Sequence, residues 1–423
     1  MTQRLIIFAK AILTMDSPKP IEDGFIMIQG HRILQVGKRK DLYFRPSFRM
    51  LDLGDTILTP GLINAHCHLD YTSFKGQVRY RGGFRQWLRE MGQKTRETTA
   101  VEFKRSIQKG IKESLAYGTT TLCDISTSWE SYPLLRQSSL RSFVFLEMID
   151  LGLPSAKGYW KTFEQRLKSL VRQSPPTPVF QWGLSPHTPF TVSKELLQLT
   201  GRYLSDRKNI LTTIHLAESR EEAAYFREGS GPMAERIKAL NPDWTLPRKT
   251  TPVQYLNDNG WLPKLDLGVH LNRVDDRDLK LLAKNRITVV HCPGSHAYFN
   301  HPPFRYKSFR RRRIPVCLGT DSLASNQSLS LFREMRLFRE KHPKVSSQEI
   351  LSMVTEKPAQ ALGMGLQLGR IKPGYFADLI GIPLTKGRGA LKEPAHQVID
   401  YKGTVSFSMI HGESRLRLSE SGH

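Results

Sequence analysis

Acidic side chains and cysteine are both scarce in this 423-residue chain: 39 Asp and Glu stand against 63 Lys and Arg, and there are four cysteines. Cys67, Cys123, Cys292 and Cys317 lie in or beside apolar strand-like runs with no framework spacing. That excludes a disulfide scaffold and points to reduced thiols in a cytoplasm. Long apolar runs are also missing. No stretch reaches the ~18 residues of a membrane-spanning helix. The run near the start, Leu5-Ile6-Ile7-Phe8, reads as a strand, too short and too soon followed by charge for a secretion signal. No glycine-rich phosphate loop follows any strand, which argues against an open doubly wound sheet.

The deficit of acid leaves a formal net charge of +24. Such a charge suits nucleic acid or an acidic membrane surface. The basic residues, however, are spread along the chain and thicken only at Arg79–Arg85 and Arg305–Arg313, with no zinc finger or RNA-binding aromatic motif beside them. A solvated basic surface is the better reading. A non-catalytic basic binding protein stays as a remote alternative, and neither nucleic acid nor a membrane is an expected partner.

What is present is an alternation. Residues 1–56 and 366–423 carry short apolar runs punctuated by glycine, a β texture at both ends that predicts one small sheet domain assembled from the two termini. The middle, 57–365, alternates strands at 57–66, 119–125, 142–148, 178–185, 210–216, 266–270, 287–291 and 315–319 with helical stretches such as 86–117, 159–172, 193–206, 275–284 and 326–340. Eight strands separated by helices predict an α/β fold, the (β/α)8 TIM-type barrel. The proline-rich segment 228–263 reads as an insertion between the fifth and sixth strands.

Polar groups gather at the ends of these strands, where such a barrel builds its reaction site. His66 and His68 flank Cys67 on the first strand, and a side-chain period of two lets both reach one ion. His215 and Asp321, at the fifth and eighth strand ends, would complete a nitrogen- and oxygen-rich set for one divalent metal, Zn²⁺ or Fe²⁺, with a position left for water. The fourth strand offers no lysine to bridge a second ion. Glu218, just past His215, is placed to move a proton; read alone, it would be a carboxylate at a helix start. His270 could orient or polarise the attacked centre, His187 could contact substrate, and His291 divides evenly between a site role and a structural one.

These residues in this order resemble the amidohydrolase superfamily. The resemblance rests on Thr59-Pro60-Gly61-Leu62-Ile63-Asn64-Ala65-His66-Cys67-His68-Leu69, His215-Leu216-Ala217-Glu218, His291-Cys292-Pro293, Gly319-Thr320-Asp321-Ser322, Pro358-Ala359-Gln360-Ala361-Leu362-Gly363 and Gly369-Arg370-Ile371-Lys372-Pro373-Gly374. It implies a mononuclear barrel with a β-sandwich built from both chain ends. His66, His68, His215 and Asp321 would be metal ligands, with zinc ahead of iron. Glu218 would be the proton shuttle, with Asp321 and His270 assisting, and His187 a substrate contact. A homodimer is common in that family. Within it the chain looks most like the chlorohydrolase/aminohydrolase branch, whose members include deaminases of adenosine-like nucleosides of the aminodeoxyfutalosine, methylthioadenosine and S-adenosylhomocysteine types. Hydrolytic deamination of a small-molecule substrate of that kind, by water activated at the metal, is therefore the leading expectation. Hydrolysis of a cyclic amide or a triazine-like ring is the alternative. Two positions depart from the family pattern: His296 stands where an asparagine is usual, and Glu90 is the only candidate for the glutamate that would hold ribose.

Overall fold

In the computed structural model, residues 4–43, 47–207, 209–384 and 393–417 are described. Met1–Gln3 and the segment beyond Arg417, both within the expected terminal sheet domain, lie outside them. Every residue from Leu5 to Ala9 of β1 (Arg4–Ile12) is buried. Leu5, Ile7 and Ala9 enter one apolar cluster and Ile6 and Phe8 another, as a period of two requires of a strand covered on both faces. β2 (Ile21–Gln29) pairs antiparallel with β1, and β3 (Arg32–Lys38) with β2. β4 (Arg49–Asp52) and β5 (Thr56–Pro60) run parallel to β1 along different halves of it.

The chain then enters the barrel: β6 (Leu62–Cys67), β7 (Thr119–Ser126), β8 (Arg141–Met148), β9 (Phe180–Pro186), β10 (Leu211–Leu216), β11 (Leu267–His270), β12 (Thr288–His291) and β13 (Val316–Leu318). Each neighbouring pair is parallel. The ring closes where the N–H groups of Thr320 and Asp321 donate to the His66 carbonyl at 3.0 and 3.1 Å. Leu122, Val144 and Leu146 pack with Phe103 and Ile107 of the helix Ala100–Ala116, whereas Cys123, Ile125, Phe143 and Phe145 form a cluster on the opposite face. Strands buried on both faces are what parallel sheets wrapped in helices require. The last strands, β14 (Leu379–Pro383), β15 (Phe407–Ile410) and β16 (Glu413–Arg417), return to the first sheet, with β14 antiparallel to β5. One sheet is thus made from both chain ends, beside an eight-stranded parallel barrel.

Two expected elements are divided. The run 57–66 is not one strand, because residues 57–60 belong to β5 in the terminal sheet and the barrel strand starts at Leu62. Gly61 is the joint. Its N–H donates to the Asp378 carbonyl at 2.9 Å, and a Cβ there would lie 2.1 Å from Thr120 Oγ1, so only glycine fits. The helical stretch 86–117 is two helices, Phe84–Glu97 and Ala100–Ala116. Thr99 starts the second, with reciprocal bonds from Glu102 N–H to its hydroxyl and from its own N–H to the Glu102 carboxylate. Among the described residues no helix is long and apolar enough to cross a membrane.

The barrel and the terminal sheet are joined by a buried ion pair. Arg141, the first residue of β8, donates from Nε and Nη2 to the two carboxylate oxygens of Asp378, both at 3.0 Å. Its guanidinium also lies 4.7 Å from the ring centre of Phe376 and bonds the Pro178 carbonyl.

Candidate active site

The strand ends of β6, β10, β11 and β13 converge on one point. His66 Nε2 and His68 Nε2 each lie 3.7 Å from Asp321 Oδ1, and His68 Nε2 lies 3.2 Å from His215 Nε2. The ligand atoms of His66, His68 and Asp321 fall within 4.8 Å of one another, as do those of His66, His215 and His270. All five side chains are buried. Both ring nitrogens of His66 and Nδ1 of His68 have no hydrogen-bond partner among the described residues. An orphaned buried polar atom costs ~1–3 kcal/mol, so this geometry makes sense around a cation. Burial, reinforced by neighbouring imidazoles, also holds His68 and His215 well below the ordinary histidine range, and it is the neutral ring that ligates. The donor set fits a divalent metal.

Supporting bonds orient these groups. His215 Nδ1 donates to the His187 carbonyl at 3.0 Å, which fixes the tautomer and turns Nε2 toward the centre. Asp321 accepts from Ser322 N–H at 2.8 Å and from the Ser325 hydroxyl at 3.1 Å. Asn64 Nδ2 donates to the Thr320 hydroxyl at 2.8 Å, and Thr320 N–H returns a bond to Asn64 Oδ1 at 3.1 Å, locking β6 to the segment after β13. Ala217, His270, Leu271 and Asp321 all have left-handed backbones, with φ of 51°, 72°, 49° and 56°. Such residues cost on the order of 1–3 kcal/mol each and cluster where a site over-determines them.

Glu218 follows Ala217 and is buried, its Oε1 3.6 Å from His270 Nε2. Burial, then the charges of Asp321 and Glu222, push its carboxyl well above the ordinary range. Burial lowers His270 to about 3 and His187 to about 4, so both rings are neutral. Glu222 holds the turn by accepting the N–H groups of Ala217 and Glu218 at 3.0 and 2.6 Å. His296 does not line the cleft. Its Nδ1 lies 3.0 Å from Asn272 Oδ1, and Asn272 Nδ2 donates to the Glu218 carbonyl at 3.3 Å, so the departure from the family pattern acts on Glu218 at one remove. His291 stacks on Phe304, with ring centres 3.9 Å apart, and is not among the residues lining the cleft.

A cleft of about 510 Å³ opens onto these groups, lined by His68, His187, His215, Glu218, His270 and Asp321 at its floor. Glu90 is not among its walls; it accepts from Gln86 Nε2 on the solvent side of the helix Phe84–Glu97. Sequence reasoning missed Asn64, Thr320, Glu222 and Glu147. Glu147 ends the third barrel strand, lines the cleft and is pushed by burial to about 7. Its position at a strand end was visible, but nothing local separated it from Asp124 or Asp150.

Gly319 passes so close to β6 that a Cβ would lie 2.8 Å from the His66 carbonyl oxygen and 2.9 Å from its Cβ. Glycine at this position thus lets the backbone of the segment after β13 lie directly against that of β6. Gly319→Ala should cost about 1–3 kcal/mol by overpacking and should lower metal occupancy, because His66 and Asp321 are held by the strands it would force apart. Metal analysis of the purified variant beside its unfolding curve checks both effects.

The sequence profile of the Amidohydrolase family matches residues 57–415. The chain belongs to the amidohydrolase family. This amidohydrolase is 29% identical over 392 residues to the 5-methylthioadenosine/S-adenosylhomocysteine deaminase of Pyrococcus furiosus, covering 90% of the chain and 85% of the relative. Its fold is similar to that of Helicobacter pylori aminofutalosine deaminase in complex with methylthio-coformycin (TM-score 0.86, 23% identity, 97% and 100% of the two chains). It is also similar to the atrazine chlorohydrolase of Arthrobacter aurescens complexed with zinc (TM-score 0.82, 20% identity, 98% and 95%).

Proposed function

We propose that this amidohydrolase is a metal-dependent aminohydrolase that removes an amino group from an adenosine-like ring, of the kind found in aminodeoxyfutalosine, methylthioadenosine or S-adenosylhomocysteine. The observation that carries the reading is the convergence of His66, His68, His215 and Asp321 with Glu218 and His270 poised beside them. Similarity across 90% of the chain to a deaminase of such nucleosides narrows the substrate class. His66, His68, His215 and Asp321 are assigned as ligands of one ion, with zinc ahead of iron because a similar fold holds zinc. That ion, when bound, supplies a Lewis acid that can lower the pKa of water to about 7.

The chain's own groups do the rest. Glu218, with its raised proton affinity, takes one proton from water and delivers it to the ring nitrogen as the oxygen adds to the amino-bearing carbon, then carries the second proton, from the added hydroxyl, to the amino group, which leaves as ammonia. His270, held neutral 3.6 Å from Glu218, orients the attacking oxygen. Asp321, oriented by Ser322 N–H and the Ser325 hydroxyl, assists as a carboxylate that can accept a hydrogen bond from the attacking water. His187, whose Nδ1 bonds Thr191 Oγ1 at 2.9 Å, leaves Nε2 for the substrate. The buried floor excludes bulk water and strengthens each of these interactions.

The test is ammonia release from adenosine, methylthioadenosine, S-adenosylhomocysteine and aminodeoxyfutalosine by protein loaded with zinc, with halogenated triazines and cyclic amides as comparators. Turnover of at least one nucleoside with kcat/KM well above every comparator is expected. Failure on all aminated heterocycles overturns the reading, and preference for a triazine or a cyclic amide reassigns the leaving group.

A further inference from the structure

The helix Phe84–Glu97 forms one wall of the cleft and has two chemically different sides. Arg85, Arg89 and Arg96, at spacings of four and seven that bring them to one face, all line the cleft, and Arg236 joins them from the helix Gly231–Leu240. Glu90 and Glu97 face elsewhere and are engaged by Gln86 and Gln93 at 3.0 and 2.8 Å. None of the four arginines has an ion-pair or hydrogen-bonded partner among the described residues. Arginines elsewhere on this basic surface do: Arg305 pairs with Asp276, Arg310 with Glu349 and Arg370 with Glu356. The acidic residues lining the cleft, Glu147, Glu218 and Asp321, lie buried at the floor, whereas the arginines are exposed at the mouth. The cleft therefore has a ligand-binding and acid–base floor beneath an uncompensated cationic rim.

We propose that the natural substrate carries an anionic oxygen group, a carboxylate or a phosphate, on the end distal to its amino group, and that Arg89, Arg96 and Arg236 bind it. The inference rests on the aminohydrolase reading for the other end of the ligand. Guanidinium matches carboxylate and phosphate alike through paired N–H donors. The arginines at 85 and 96 are separated by about 16 Å along the helix axis at 1.5 Å per residue, so the rim can meet tails of different length. A neutral nucleoside would leave the rim without a partner.

The experiment keeps the ring constant and varies the tail. Calorimetric affinities of the zinc-loaded protein are measured for adenosine, adenosine-5′-carboxylic acid and adenosine 5′-monophosphate at low and physiological salt, with deamination followed in parallel. At least one anionic member should bind about tenfold or more tightly than adenosine, the scale of one good charge-assisted contact. Its advantage should shrink as the screening length falls from ~30 to ~8 Å between 0.01 and 0.15 M salt. Preference for the monophosphate alone assigns a phosphate, and preference for the acid alone assigns a carboxylate. Arg89→Gln, Arg96→Gln and Arg236→Gln should each lower the anionic-to-neutral affinity ratio and together abolish it, while Arg172→Gln, on the remote helix Ala156–Gln173, should leave the ratio unchanged. Equal affinity for all three ligands overturns the inference, as does an anionic preference that survives the three rim substitutions together. Rim-dependent anion binding with no deamination of these or any other aminated heterocycle would overturn the aminohydrolase reading instead, and deamination without discrimination would overturn only this one.

Discussion

Glu218→Gln should lower kcat on the true substrate by ~10²–10⁴-fold, the usual contribution of a general acid–base group, with the metal content unchanged. The amide preserves the shape of the side chain and most of its hydrogen bonds but cannot accept a proton from water. Glu218 holds no place in the clusters of groups close enough to share an ion. Its supporting bonds, from Glu222 to the N–H groups of Ala217 and Glu218 and from Asn272 to the Glu218 carbonyl, involve backbone atoms and survive the change. His215→Ala provides the contrast. It removes the imidazole that meets His68 at 3.2 Å but keeps the backbone N–H of residue 215 on the His187 carbonyl at 3.0 Å, so metal should be lost together with activity while the strand stays in place. Steady-state kinetics and metal analysis on the two variants separate proton transfer from metal retention. Near-native turnover by Glu218→Gln would refute the mechanism whatever the substrate.

The site was legible because its chemistry is concentrated at strand ends. His66 and His68 announce themselves by spacing, and His215, His270 and Asp321 each follow an apolar run short enough to be a barrel strand. What holds them was not legible, because it is tertiary. Asn64 and Thr320 are 256 residues apart and meet only once the barrel closes. Glu222 reads locally as a helix-start carboxylate yet spends both oxygens on the Ala217–Glu218 turn. The division of the run 57–66 had a local signal in Pro60-Gly61, but the reason for it is Thr120 on the adjacent strand, which a sequence reading cannot place. Bulk charge concealed the arginine rim in the same way. A net charge of +24 spread along the chain looks like solvated surface, and only helix geometry distinguishes Arg85, Arg89 and Arg96 from the rest. The Arg305–Arg313 cluster, the most conspicuous in sequence, is partly spent on Asp276 and Glu349.

Asp378→Ala should destabilise the protein by about 3–5 kcal/mol, the cost of stranding one member of a buried ion pair. Arg141 and Asp378 are nearly inaccessible to water, and their two bonds at 3.0 Å are the polar link between the first residue of β8 and the residue before β14. Asp378 also accepts the His411 N–H at 2.8 Å, so its loss leaves a guanidinium and a backbone donor unsatisfied together. Removing both charges is a different case. Arg141→Met with Asp378→Leu keeps apolar bulk beside Phe376 and should recover much of the loss, since a well-packed apolar pair often replaces a buried ion pair at little cost. Urea unfolding midpoints for the single and double variants measure the coupling directly. The site residues lie at the opposite ends of the barrel strands from this link, as β8 begins at Arg141 and reaches the cleft wall at Glu147. Folded Asp378→Ala protein should therefore retain its metal and turnover, and a single variant within about 0.5 kcal/mol of wild type, the range of ordinary surface changes, would show that the pair does not join the two sheets energetically.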